Sequence, residues 1–251
     1  MSIIERISDC FSTAKEVPPN HFSNEQILSV IDLTCLEDQL GCQPIQALQK
    51  QGEKSKVAAL CIYPKHIPCL SFPKKLPLAT VVNFPDGNDT LSTCKTDILR
   101  CIESRSVDEI DYVFPYKAYL DGNTSYALTH ARSCYEICAE RGRTFKVIIE
   151  SGALPSLDIT YQLSLELINS GCDFIKTSTG KISQGSTLES ACTMLLAIKD
   201  SNKTCGLKVS GGVRDKRTAV DFIHLAETIV SQPVDPSWFR IGASQLLQEL
   251  I

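Results

Sequence analysis

Short apolar runs alternate along this chain with longer segments in which apolar residues recur every three or four positions. The first rhythm suits strands buried on both faces of a parallel sheet, and the second suits amphipathic helices. Ile3, Ile4, Ile7 and Phe11 predict an opening helix, within an N-terminal helical extension over 1–20. Strands are predicted over 27–34, 56–63, 78–84, 108–114, 145–150, 173–178, 206–210 and 238–242. Helices are predicted between them over 43–51, 90–104, 124–141, 157–169, 187–199 and 215–230, with a short helical segment after Pro64 and a last helix over 243–251. Gly171 is a natural stop for the helix before it, and Ser186-Thr187-Leu188-Glu189 resembles a capping arrangement for the helix that follows.

Eight strands, each followed by a helix-like segment, predict a single (β/α)8 TIM barrel over 1–251 with a short N-terminal helix. A doubly wound sheet usually carries a Gly-rich fingerprint after its first strand, and Asp32-Leu33-Thr34 is followed by none.

Composition narrows the function classes. Of the 251 residues, 43% are hydrophobic and 22% charged, ordinary for a globular protein. A net charge of −4 gives no basic field, which argues against nucleic-acid binding. No stretch approaches the roughly 18 apolar residues of a membrane span, and Glu5, Arg6 and Asp9 interrupt any secretory core near the start. Twelve cysteines are scattered without a CxxC pair, and Cys61, Cys172 and Cys205 lie in or beside apolar runs. They predict a reducing, cytoplasmic setting with no disulfide framework.

Four predicted strands carry an ionisable residue among apolar neighbours: Asp32, Asp111, Lys176 and Lys208. A buried ion is expensive unless paired, so two aspartates and two lysines sharing one site is more economical than four separate burials. Strands six and seven are neighbours in a barrel, so Lys208 can stand near Lys176. A second cation and desolvation both lower the Lys176 pKa, which would free its amine to attack a carbonyl. The bland alternative is a structural ion-pair cluster.

Small residues follow the last three strands: Thr179-Gly180-Lys181, Gly211-Gly212 and Gly242-Ala243-Ser244. Such turns let backbone N–H groups close on an anion, helped by the following helix N-terminus, and Lys181 can add a charge. Turn chemistry alone would also explain them. Beside an interior amine, they point to a phosphorylated carbonyl substrate.

Motifs spread from the first strand to the last then agree. They are Ile31-Asp32-Leu33-Thr34, Leu60-Cys61-Ile62-Tyr63-Pro64, Val82-Asn83-Phe84-Pro85, DEIDYVFPY from Asp108, KVIIESG from Lys146, GCDFIKTSTGK from Gly171, Lys208 with Ser210-Gly211-Gly212, and Ile241-Gly242-Ala243-Ser244. Over nearly its whole length the chain resembles the deoxyribose-phosphate aldolases, class I (Schiff-base) aldolases on a (β/α)8 barrel.

The resemblance implies cleavage of 2-deoxy-D-ribose 5-phosphate to D-glyceraldehyde 3-phosphate and acetaldehyde, in deoxyribonucleoside catabolism. It implies Lys176 as the Schiff-base lysine, Lys208 as the lysine that perturbs it, and Asp111 as an aspartate working through water in proton transfer. Asp32 would support the site and the substrate hydroxyl. Thr179, Gly180, Lys181, Gly211, Gly212, Gly242 and Ser244 fall in or beside the phosphate-binding turns, and Cys61 matches a site-proximal cysteine. The iminium supplies the electrophile, so no metal or other cofactor is expected; the partners are the phosphosugar and acetaldehyde, with a homodimer compatible. Val209 stands where relatives more often have Pro or Ala, and Gln245 where a second Ser is common. The sequence ends at Ile251 without the C-terminal tyrosine many relatives use in proton transfer, so less efficient proton delivery is expected.

Two other readings remain: a Schiff-base aldolase acting on another phosphosugar, and a phosphosugar-binding or isomerase barrel without lyase activity. His130, Cys134 and Cys138 are spaced by four and could pass for a metal stripe, but His21, His66 and His224 are dispersed, and core packing explains the stripe better.

Overall fold

A computed structural model describes residues 1–16, 22–103 and 107–251. Eight parallel strands close in sequence order, with β8 pairing back to β1. They are β1 (Ile31–Cys35), β2 (Ala59–Ile62), β3 (Leu78–Val82), β4 (Glu109–Val113), β5 (Thr144–Ile148), β6 (Phe174–Lys176), β7 (Gly206–Ser210) and β8 (Phe239–Ala243). The helices are α1 (Ile3–Glu16), α2 (Asn24–Leu28), α3 (Cys42–Ser55), α4 (Leu91–Glu103), α5 (Tyr116–Leu120), α6 (Thr124–Glu140), α7 (Leu157–Ser170), α8 (Leu188–Ser201), α9 (Lys216–Val230) and α10 (Leu246–Leu250). This is a (β/α)8 barrel. Only a 3-10 segment, Pro64–Cys69, follows β2. No helix among the described residues is long and apolar enough to cross a membrane.

The strands read as apolar runs because both faces are covered: every residue of β2, β3, β4 and β7 is buried. Helix ends use local chemistry. Gly171 closes α7 at φ +107°, where a side chain would strike the Tyr135 ring. At the start of α8 the cap is Thr187 with Ser190, each side chain bonding the other's backbone N–H, rather than a pairing with Glu189.

Three expectations are corrected. The predicted first strand begins too early: Ser23 and Gln26 form a reciprocal capping box that starts α2, so Ile27 and Leu28 are helical and buried. The second strand is shorter than predicted, because Lys56 ends α3 in the left-handed conformation. One disulfide is present, between Cys42 in the first turn of α3 and Cys69 at the end of the 3-10 segment, two elements that pack together; the other ten cysteines form none. Of the extension expected over 1–20, α1 is helical, while 17–20, with His21, lie outside the described residues, as does Ser104 of the predicted fourth-unit helix.

The register places the chemistry. Lys176 pairs with Lys208 across β6 and β7, Lys208 with Arg240 across β7 and β8, and Asp111 with Lys146 across β4 and β5. Alternation along β4 keeps Glu109 on the same face as Asp111.

Candidate active site

The barrel interior holds a cluster of seven ionisable side chains. Asp111 is its centre: Lys176 Nζ and Lys208 Nζ each lie 2.7 Å from its Oδ2, and Lys146 Nζ lies 3.0 Å from Oδ1. Asp32 Oδ2 meets Lys208 at 2.5 Å, and Asp32 Oδ1 meets Arg240 at 2.6 Å. Glu109 bonds Lys146 and, at 3.0 Å, Arg240. Asp32, Asp111, Lys146 and Lys208 have no exposed surface.

Sequence reasoning found four of these seven. Lys146, Glu109 and Arg240 were missed, although the signal was the same: an ionisable residue inside an apolar strand, and for Glu109 a two-residue offset from Asp111.

Charge balance separates the three lysines. Asp32, Glu109 and Asp111 supply three negative charges; Lys146, Lys208 and Arg240 supply three positive ones. A protonated Lys176 would be a fourth cation. Burial pushes the Lys176 pKa down, against the pull of Asp111, and Lys208 pushes it further down. For Lys208 and Lys146 the same burial penalty is outweighed by the surrounding carboxylates, and both are raised. The Asp32 and Asp111 carboxyls are held well below the usual carboxylate range, because the neighbouring cations overcome their own burial. The arrangement pairs three charges of each sign and pushes the fourth basic group, Lys176, toward the neutral amine.

Lys176 also stands where a ligand can reach it. A cavity of about 500 Å³ opens above the cluster, lined by Lys176 together with residues of the loops after β1, β6, β7 and β8. Thr179, Gly180, Lys181, Gly211, Gly212, Gly242 and Ser244 all line it, with Thr34, Arg214 and Gln245. Asp32, Asp111 and Lys208 are fully buried beside Lys176 and are not part of the lining. Cys61 is fully buried, its Sγ 3.9 Å from Asp111 Oδ2; burial raises its thiol pKa, so it is placed as a neighbour of the cluster rather than on the cavity wall.

Two glycines lining the cavity have physical reasons. Gly211 has φ +84°, and a Cβ there would lie 3.1 Å from the Gly185 Cα. A Cβ on Gly242 would sit 3.0 Å from the Ser210 Cβ and 3.2 Å from the Lys208 Cε, so its bareness makes room for Lys208. Lys181 Nζ donates to the Leu36 carbonyl oxygen at 2.6 Å, tying the β6 loop to the β1 loop across the cavity.

The N-termini of the helices after β6 and β7 already carry side-chain caps. α8 starts behind its own cap, and Asp215 caps α9 by accepting from Thr218. Lys181, Arg214 and Ser244 give the cavity polar lining, together with Gln245 at the start of α10, which makes no side-chain cap. His130 belongs to the core: its Nδ1 lies 2.6 Å from the Tyr112 hydroxyl, and Cys134 and Cys138 are buried with it.

The sequence model of the DeoC/LacD family aldolases matches residues 27–246. The chain belongs to that family. Solved structures share the fold: the aldolase QR15 (TM-score 0.77, 23% identity, covering 89% of this chain and 95% of that one), and a tetrameric deoxyribose phosphate aldolase from Aeropyrum pernix (TM-score 0.78, 20% identity, 96% of each chain). A protein from Coccidioides immitis, provisionally assigned as a deoxyribose-phosphate aldolase, superposes with a TM-score of 0.80 at 20% identity over 99% of this chain and 98% of that one. As a member of an aldolase family the chain is an aldolase of the carbon–carbon lyase type, and the barrel spans all the segments that carried the sequence resemblance.

Proposed function

We propose that this aldolase cleaves 2-deoxy-D-ribose 5-phosphate through a Schiff base on Lys176. One observation carries the reading: among the buried lysines, Lys176 is the one driven toward the neutral amine and the one that lines the cavity.

The chemistry follows from that placement. The Lys176 amine adds to the C1 aldehyde, and loss of water from the carbinolamine gives an iminium. Asp111, acting through a water, takes the proton of the 3-hydroxyl. The C2–C3 bond breaks, its electron pair passes to the iminium as an enamine, and D-glyceraldehyde 3-phosphate leaves. Protonation of the enamine at C2 and hydrolysis of the resulting iminium release acetaldehyde and restore the amine. Lys208 and Lys146 keep Asp111 ionised until it takes that proton, and Asp32 anchors Lys208. An aldehyde carbon at Lys176 leaves the phosphate end of a five-carbon chain for the recess formed by Gly180, Lys181, Gly211, Gly212, Gly242 and Ser244.

We read 1–251 as one aldolase domain, working in a cytoplasmic compartment on deoxyribonucleoside breakdown products. The ten cysteines outside any disulfide support that setting, with the Cys42–Cys69 bond as its exception. The test is acetaldehyde release from deoxyribose 5-phosphate, followed by a coupled alcohol dehydrogenase. Turnover supports the reading. Inactivity there, with cleavage of a different phosphosugar, would replace the substrate but keep the Schiff base.

A further inference from the structure

Beside the cavity lies a buried carboxylate that the mechanism above does not use. Glu150 follows the end of β5, is 1% exposed, and sits at φ +52°, ψ 59°, a left-handed conformation that a side chain other than glycine rarely adopts. Such a conformation persists only where its surroundings hold it, and it clusters at functional sites. The residues on either side are pinned to the end of β6: the Ile149 N–H donates to the Lys176 carbonyl at 3.0 Å, and the Ser151 N–H to the Thr177 carbonyl at 2.8 Å. Glu150 is thereby turned toward Thr179.

Its carboxylate accepts from Thr179 twice over. The Thr179 backbone N–H reaches Oε1 at 3.2 Å and Oε2 at 3.3 Å, and the Thr179 hydroxyl donates to Oε2. With its proton committed to Glu150, the hydroxyl oxygen is free to accept, and it takes the Lys181 backbone N–H at 3.1 Å. A directed chain therefore runs from carboxylate to hydroxyl to amide and closes the turn Thr179–Gly180–Lys181, with Gly180 at φ +75°. All three turn residues line the cavity.

We propose that Glu150 is a positioning residue for the anion-binding turn, holding Thr179–Gly180–Lys181 in the shape that receives the phosphate end of the substrate. The proposal rests on the Schiff-base reading of the site. It requires an acceptor at both oxygens. A glutamine side chain in place of Glu150 keeps the size but has one acceptor oxygen, and its NH2 group then faces a Thr179 donor: the N–H from the Oε1 position, or the N–H and hydroxyl from the Oε2 position.

The experiment compares Glu150→Gln with the wild-type protein, each confirmed folded by thermal melting, on deoxyribose 5-phosphate and on unphosphorylated 2-deoxyribose. The expected result is a rise in KM for the phosphorylated sugar of about tenfold or more, with kcat changed by less than about threefold and kcat/KM on 2-deoxyribose retained. Thr179→Val should produce the same rise, and the double variant no more than either single one, because both break one chain. Equal losses on both sugars would overturn the proposal by making Glu150 a general structural residue, and so would an unchanged KM. If the wild-type protein cleaves neither sugar, the functional reading fails by itself. Calorimetric titration with inorganic phosphate then decides: tenfold weaker binding in Glu150→Gln supports the proposal, and equal binding overturns it.

Discussion

Replacing Lys208 with methionine should move the pH profile of the enzyme rather than merely lower its activity. In the folded protein the three carboxylates of the cluster are matched by Lys146, Lys208 and Arg240, and Lys176 is the fourth basic group, its pKa pushed down by burial. Lys208→Met removes one cation and leaves a buried carboxylate in excess, which is relieved if Lys176 takes up a proton. Both lysine nitrogens lie 2.7 Å from the same Asp111 oxygen, so they are no more than about 5.4 Å apart. At an effective dielectric of about 20, a unit charge at that distance is worth about 3 kcal/mol, or about two pKa units. The sign is upward: Lys208 holds the Lys176 pKa down, and its loss lets Asp111 pull it up.

Below the wild-type pKa the neutral fraction of Lys176 should fall about a hundredfold. The assay is kcat/KM against pH for the wild type, Lys208→Met and Lys208→Arg. The acidic limb of the methionine variant should shift about two units to higher pH, with much of the activity recovered in alkali, while arginine, which keeps the charge, shifts it less. A loss that is uniform across pH would refute the reasoning, because Lys208 would then act by contact with the substrate or by shape alone.

Two further outcomes follow from packing and covalent structure. Gly242→Ala places a methyl against the Ser210 Cβ and Lys208 Cε; overpacking of this kind costs about 1–3 kcal/mol. It should lower both the melting temperature and kcat by displacing Lys208, and a fully active, equally stable variant would show that the cluster tolerates that shift. The Cys42–Cys69 bond joins residues 27 apart in sequence. It should stabilise the fold by about 3–4 kcal/mol, so reductant should lower the melting temperature by roughly 10 °C. An unchanged melt, with all twelve cysteines titrating as thiols before reduction, would remove the bond from the account.

The barrel was legible because its strands are buried on both faces and therefore stand out as uninterrupted apolar runs. What periodicity could not supply was the boundary at Ile27 and Leu28, which are apolar whether helical or extended; the local capping of Ser23 by Gln26 decides it. Asp32, Asp111, Lys176 and Lys208 were visible as charges in the wrong solvent. Lys146, Glu109 and Arg240 met the same criterion, and their contribution emerged only when the register brought them against Asp111 and Asp32. That one lysine of three is pushed toward the neutral form while the other two are held charged is a property of the assembled charges, which no single strand encodes. Glu150 was invisible for a different reason: its effect depends on a left-handed turn and on the direction of a threonine hydroxyl proton.

Borohydride reduction in the presence of deoxyribose 5-phosphate puts the Schiff base itself to the test. Reduction of the acetaldehyde-derived imine should add one ethyl group to the protein, and peptide mass spectrometry should locate it on Lys176, with no incorporation in Lys176→Met. An enzyme that cleaves the sugar, remains active after borohydride and carries no label on Lys176 would contradict the account.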